Sequence, residues 1–384
     1  MYEAISDYPL GKIVVIAMAI AFIVEGKKLG NKNVLNRLLI GYFIWFSIST
    51  IFAYHWGLAS DFWVDFCKWV IIYFILTNSL TERRHLYIFV IVLVMLNFKL
   101  AQFVVRVWVE NGFYSDPRGI YEGYGVGSGF FRNPNDMGAA FNSILGISLA
   151  LIHYDSTKIL SRFKIKWFHL ICTALFAVAI LATSSRGAII GVLAVLLFSL
   201  LKVKRKVLFL PILIFLVSVY VSLIPSDNWK RFTEMGSDED ASGKERLNLW
   251  GAGIRMANEH PMTGVGPINF GIYNHKVYGA PSMTVQHNIF IQAVSELGYP
   301  GLLLLILMFL AIFKNQRETR KILKGMDKTG LPLIGLSHGL DLCLVGFIAN
   351  GFFITVLYYP FFWMIMVISV SLRHIAEMEA GVKN

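Results

Sequence analysis

Apolar runs of near-span length recur along almost the whole chain, and one long polar island from about Pro225 to Glu296 interrupts them. Eleven runs read as spans, at roughly 9–25, 34–54, 63–79, 85–105, 134–154, 165–183, 187–202, 206–224, 297–313, 337–357 and 359–374. Each approaches the ~20 residues that a helix needs to cross a bilayer. The ~10-residue alternating segments of a transmembrane barrel are not visible, so the spans read as helices. The first run, Ile13–Val24, has no basic stretch before it and no small-residue cleavage site, and reads as a span rather than a cleaved signal. The pattern predicts an all-α, polytopic integral membrane protein with about eleven to twelve transmembrane helices and one large loop. It divides the chain into eight spans over 1–224, a loop domain over 225–296 carrying a short amphipathic helix, and three spans over 297–384.

Composition agrees. The 384 residues are 56% hydrophobic and 15% charged, with a mean hydropathy of +0.60. Soluble domains carry about 25% charged residues. The three cysteines, Cys67, Cys172 and Cys343, each fall inside an apolar run, which argues against a disulfide framework or a cysteine metal site. The net charge of +11 would suit nucleic acid if it were gathered on one domain, but it is not. With the side of Lys27, Lys28 and Lys32 as reference, alternation puts Arg83/Arg84, Lys158–Lys166, Lys202–Lys206, Arg317–Lys328 and Arg373 on that same side. Short basic loops mark the cytoplasm. The acidic N-terminus, the 106–133 loop and the 225–296 island fall on the opposite side, which would be periplasmic in a Gram-negative cell. An enzyme working there lacks ATP and nucleotide sugars, so its donor should arrive already activated, most simply on a lipid carrier in the same membrane.

The island carries Arg246, Arg255, His260, His275 and His287. Ser242-Gly-Lys-Glu245 is a capping-box pattern, and Leu247, Trp250, Ile254 and Ala257 follow at helical spacing. His260-Pro261 ends the run. The pattern predicts an amphipathic helix over about 243–259, lying on the membrane or against other spans, with Ser242 as its cap. Arg246 sits near the positive end of this helix, against the usual preference, which suits an anion bound nearby; an ordinary solvated arginine fits equally. His287, in Gln286-His287-Asn288, could accept a proton from a sugar hydroxyl or bond a phosphate; alone it also reads as an interfacial polar residue. Arg186, in the short turn Thr183-Ser184-Ser185-Arg186-Gly187, suits a pyrophosphate or serves as a helix-end anchor. Gly127–Asp136 is a glycine-rich loop entering a helix, with Asn133 at the N-cap and Pro134 at the first helical position. Arg132 and Asn135 flank that entry and, with Arg255, are weaker substrate-binding candidates. Lys99 in the fourth span is either a costly functional cation or a snorkelling one. Asp341 needs no special role at a span end.

Together these motifs are similar to the O-antigen ligase and O-antigen polymerase superfamily. The similarity rests on Gly129-Phe-Phe-Arg-Asn-Pro-Asn135, Thr183-Ser-Ser-Arg-Gly187, Glu245-Arg-Leu-Asn-Leu-Trp250, Pro261-Met-Thr-Gly-Val-Gly-Pro267, Gln286-His-Asn-Ile-Phe290 and Glu296-Leu-Gly-Tyr-Pro-Gly301, in that order. The resemblance implies an all-helical, GT-C-like membrane glycosyltransferase that needs no metal and no cofactor. It would move a glycan from undecaprenyl pyrophosphate to an acceptor at the periplasmic face of the inner membrane. The acceptor is lipid A-core in the ligase branch, the reading favoured here, and another lipid-linked repeat unit in the polymerase branch. The family's arginine and histidine positions match Arg186, Arg246 and His287, so those three are the expected catalytic residues. Both ends of family members are cytoplasmic, whereas eleven spans put this N-terminus outside, so an N-terminal span is missing or the count is short by one. The expected partners are the lipid-linked donor, the acceptor and membrane lipids, with no nucleic acid. A lipid-linked sugar transporter or flippase is the rival, but no internal repeat or paired mid-membrane ions support it.

Overall fold

The computed structural model describes residues 10–24, 33–110, 134–154, 158–160, 163–183, 185–202, 241–326 and 330–381, with the single positions 26, 112, 218 and 222. Helices dominate: α1 (Leu10–Val24), α2 (Val34–Ile51), α3 (Trp56–Ser79), α4 (Arg83–Glu110), α5 (Pro134–Tyr154), α6 (Ile165–Ala182), α7 (Arg186–Lys202), α8 (Ala241–Glu259), α9 (Phe270–Tyr278), α10 (Ile289–Lys324), α11 (Leu331–Gly351) and α12 (Pro360–Glu379). Among the described residues a minimal antiparallel hairpin, β1 (Lys158–Leu160) and β2 (Phe163–Lys164), is the one sheet, in the Leu160↔Phe163 register. Among the described residues, six helices are long and apolar enough to cross a membrane: α2, α4, α5, α10, α11 and α12. Shorter apolar helices lie within α6 and α7. The chain is a multi-pass membrane protein. The expected eighth span, 206–224, lies almost wholly outside the described residues.

The bundle is held most closely where glycines let backbones approach. On α5, a Cβ at Gly146 would lie 2.6 Å from the Cys343 backbone nitrogen of α11. A Cβ at Gly339 of α11 would lie 2.7 Å from the Ile147 Cα of α5. Small residues at facing positions are how helices pack where lipid supplies no hydrophobic drive between them. α7 joins the same cluster: the Asn142 amide donates to the Ala188 carbonyl at 2.8 Å. At the end away from the loop domain a buried polar network closes the bundle. The Asn315 and Gln316 amides both donate to the Ser369 hydroxyl. Arg320 pairs with Asp341 at 2.9 Å, so Asp341 is one half of a buried ion pair rather than a plain end-of-span residue.

Two span boundaries differ from the sequence reading, and both matter for the site. The run expected to cross over 337–357 stops being helical at Gly351, and 352–359 forms a loop before Pro360 opens α12. Proline fits the first helical position and holds the residue before it extended, as Tyr359 is (φ −80°, ψ 148°). The run expected over 297–313 belongs to the 36-residue α10, whose part beyond residue 298 is about 39 Å long at 1.5 Å per residue and so exceeds the ~30 Å hydrocarbon core. It is kinked at Gly298 (φ 68°, ψ −175°), so Ile289–Leu297 forms a separate short rod at its head. α8 is described from Ala241, two residues before the start expected at 243, and the capping role expected of the Ser242 side chain lies outside the described residues.

Candidate active site

Three chain segments converge at the loop end of the bundle. The first is the turn into α7. The Ser185 hydroxyl accepts from the Ala188 amide at 3.3 Å, an N-terminal cap, and donates to Asn135 Oδ1 at 2.6 Å. Arg186 is therefore the first residue of a helix whose start is pinned to the start of α5. Asp136, buried beside Asn135, accepts from the Tyr359 hydroxyl at 2.7 Å. A Cβ on Gly187 would lie 2.7 Å from Phe353 Cβ, so the 352–359 loop rests directly on the Arg186 turn.

The second segment is 286–288. Asn288 caps α10, its side chain accepting from Phe290 N and Ile291 N at 2.9 and 3.1 Å. His287 sits at φ +50°, a conformation that costs a non-glycine residue energy and persists only when its surroundings fix it. They do. The His287 amide donates to Thr355 Oγ1 at 3.0 Å, and the Asn288 amide group donates to the Phe352 carbonyl at 3.3 Å. Gln286 is fully buried: its carbonyl accepts from the Trp250 indole at 3.0 Å and its amide donates to Glu296 Oε1 at 3.0 Å. Glu296 Oε2 also accepts from the Tyr358 hydroxyl at 2.8 Å and from Ile268 N at 3.0 Å. The 352–359 loop thus touches Gly187 on one side and His287 on the other.

The third segment is α8, where Arg246 lies one turn before Trp250. Burial pushes the His287 imidazole down to about 4, and the positive charge of Arg246 adds to the shift. Arg246 is therefore close enough for its field to be felt at His287, and the histidine is neutral at physiological pH. This carries a stability prediction. An unfolded histidine takes a proton near 6.5, whereas His287 in the fold resists protonation until about 4. Between those values the unfolded state binds more protons, so stability should fall as pH drops from about 6.5 towards 4 and be level above that window. Thermal melts of His287→Gln should lose that slope; an unchanged slope would contradict the assignment.

The weaker candidates fare differently. Asn135 braces the Arg186 turn through Ser185. Arg255 points to the far side of α8, 3.6 Å from a Glu259 oxygen and with its guanidinium carbon 4.0 Å from the centre of the Tyr278 ring. Lys99 is exposed on α4, a helix that packs mainly on α5, α6 and α12. Arg132 lies outside the described residues. His260 and His275 serve the loop domain's own fold: His260 Nε2 is 3.0 Å from the Tyr273 hydroxyl, and His275 Nδ1 donates to the Ala280 carbonyl at 2.6 Å. The sequence reading missed Thr355 because the run over 337–357 read as one span to its end, and it left Tyr358 as a bare junction between two spans. The available signals were the Asn350-Gly351 turn dipeptide, where the helix ends, and Pro360 preceded by two tyrosines.

No curated protein matches the chain. Residues 171–306, which hold Arg186, Arg246, His287, Glu296 and the Gly298 kink, match the family described as O-antigen ligase, and this match supports the O-antigen ligase and polymerase superfamily as the one the chain resembles.

Proposed function

We propose that this protein is an O-antigen ligase that transfers a glycan from undecaprenyl pyrophosphate to lipid A-core at the periplasmic face of the bacterial inner membrane. The family match supports a membrane glycosyltransferase of O-antigen ligase type acting on lipid-linked glycan and acceptor. The observation that supports an active site here is that the segments bearing Arg186, Arg246 and His287 meet at one end of the bundle. These three segments are joined through Trp250, Gln286 and the 352–359 loop.

In this reading the acceptor hydroxyl oxygen attacks the anomeric carbon from the face opposite the diphosphate. The new carbon–oxygen bond forms as the bond to the phosphate oxygen breaks, which inverts the anomeric centre. The bonding electrons leave on the diphosphate, where Arg186 and Arg246 take up the developing charge. The hydroxyl proton passes to His287. A ring that titrates near 4 is a weak base at neutral pH. A diphosphate beside Arg246 offsets one of the two causes of that depression, so the imidazole gains basicity when the donor is bound.

The test is transfer by the purified full-length protein in nanodiscs, given lipid-diphosphate glycan, lipid A-core and EDTA. Glycan joined to the core with inverted configuration is expected. Glycan joined to a second lipid-linked unit would make the protein a polymerase. In proteoliposomes, movement of lipid-linked sugar without bond formation would overturn the proposal in favour of transport.

A further inference from the structure

The apolar residues expected to form one face of α8 divide between two. Leu249, Gly253, Met256 and Ala257 turn inwards, with a Cβ on Gly253 placed 2.3 Å from Ile291 of α10. Leu247 and Ile254, two turns apart on another face, are 64% and 49% exposed. The charged and polar residues Lys244, Asn248, Arg255 and Glu259 occupy a third, also exposed. A helix that needed only to pack on the bundle would have two faces, one apolar and one polar. Here a second apolar strip lies between the buried face and the charged one.

That strip leads into the membrane-facing side of α10. Asn258, one turn beyond Ile254, accepts from the Tyr299 hydroxyl at 2.7 Å, and Tyr299 N donates to the Pro261 carbonyl at 2.9 Å. Met262 beside them is exposed, and from Tyr299 the exposed line continues down the spanning helix through Leu303 and Leu310. On a helix that crosses a bilayer, exposed leucines face lipid. Tyrosine at the junction is the residue that favours the membrane–water boundary.

We infer that α8 lies in the membrane interface with Leu247 and Ile254 in lipid, its charged face towards the headgroups and water. The occupant of the strip is the bilayer itself, because the strip is continuous with the lipid-facing side of α10. Arg246 then sits on a helix held at headgroup depth, the level at which a lipid-linked phosphate stands. The inference does not depend on the reaction assigned above.

Single cysteines at 247, 254, 248, 255 and 303, in a Cys67→Ser background, would carry an environment-sensitive fluorophore. The full chain would be placed in phosphatidylethanolamine–phosphatidylglycerol nanodiscs with doxyl-labelled lipid. An interfacial face sits about 5–10 Å into the headgroup–acyl boundary, so a label on acyl carbon 5 should quench positions 247 and 254 more than one on carbon 12. Position 303 should be quenched by both, and 248 and 255 by neither. Positions 247 and 254 as silent as 248 would overturn the inference, as would protection of both by contact between two copies of the chain, seen as 247–247 crosslinking. Because no glycan transfer is read, loss of the enzymatic reading would leave this result standing.

Discussion

Arg246→Ala is expected to lower glycan transfer by about 10²–10³-fold, the loss typical of removing one donor to developing transition-state charge. α8 should stay seated, because Trp250, Gly253 and Met256 also hold it on the bundle. The same substitution has a second readout independent of turnover. Arg246 is one of two causes holding the His287 imidazole near 4. Removing it should raise the His287 titration towards, but not to, 6.5, since burial is the larger cause and remains. Histidine NMR on the full-length protein would read this directly. An unmoved titration in Arg246→Ala would separate the two residues and remove the basis for placing them in one site.

Gly298→Ala is expected to remove about 3 kcal/mol or more of stability and to cut the yield of folded protein sharply. Gly298 holds φ 68° and ψ −175°, a region open to glycine almost alone, and a Cβ there would lie 2.0 Å from the Met262 carbonyl oxygen. The Pro261 carbonyl oxygen lies 2.7 Å from the same position, and both oxygens are backbone, so neither can turn aside. The kink separates the span from the short rod that carries Gln292 and Glu296. Above it, Glu296 gathers Gln286, Tyr358 and Ile268 N, and the Glu296 carbonyl accepts from Ser49 Oγ at 2.9 Å. Straightening α10 would pull these apart, and His287 with them. Gly251→Ala is the control: Gly251 is an exposed helical glycine with nothing near its Cβ position, and alanine there should be neutral or stabilising by up to about 1 kcal/mol. Thermal melts of both variants in one detergent decide the matter, and equal melting temperatures would contradict this account of the kink.

Much of the helix inventory was legible because span-length apolar runs have few alternatives to helix. The existence of α8 was legible from its spacing, and its end at Glu259 from the following His260-Pro261. Its orientation was not. Leu247, Trp250, Ile254 and Ala257 satisfy one apolar periodicity, yet the bundle meets the helix from the side of Leu249 and Gly253, so the stripe is partly covered by the bundle and partly exposed. Periodicity reports that a face is apolar and says nothing of which apolar medium covers it. Arg186 and His287 were legible as residues in motifs. The bridge between them was not, because Thr355 falls inside the run that reads as a span over 337–357. The packing of Phe353 on Gly187 is a tertiary fact with no local signature.

The central claim is that Arg186 and His287, a hundred residues apart in sequence, act on the same donor through the 352–359 loop. The measurement that tests it is a double-mutant cycle on transfer with Arg186→Ala, His287→Ala and the double variant, each checked for folding by melting temperature. The account predicts that each single change removes most of the transfer and that the double variant is little worse than the singles, as for residues acting as a unit. Losses that multiply independently, or single variants that keep full activity, would contradict it.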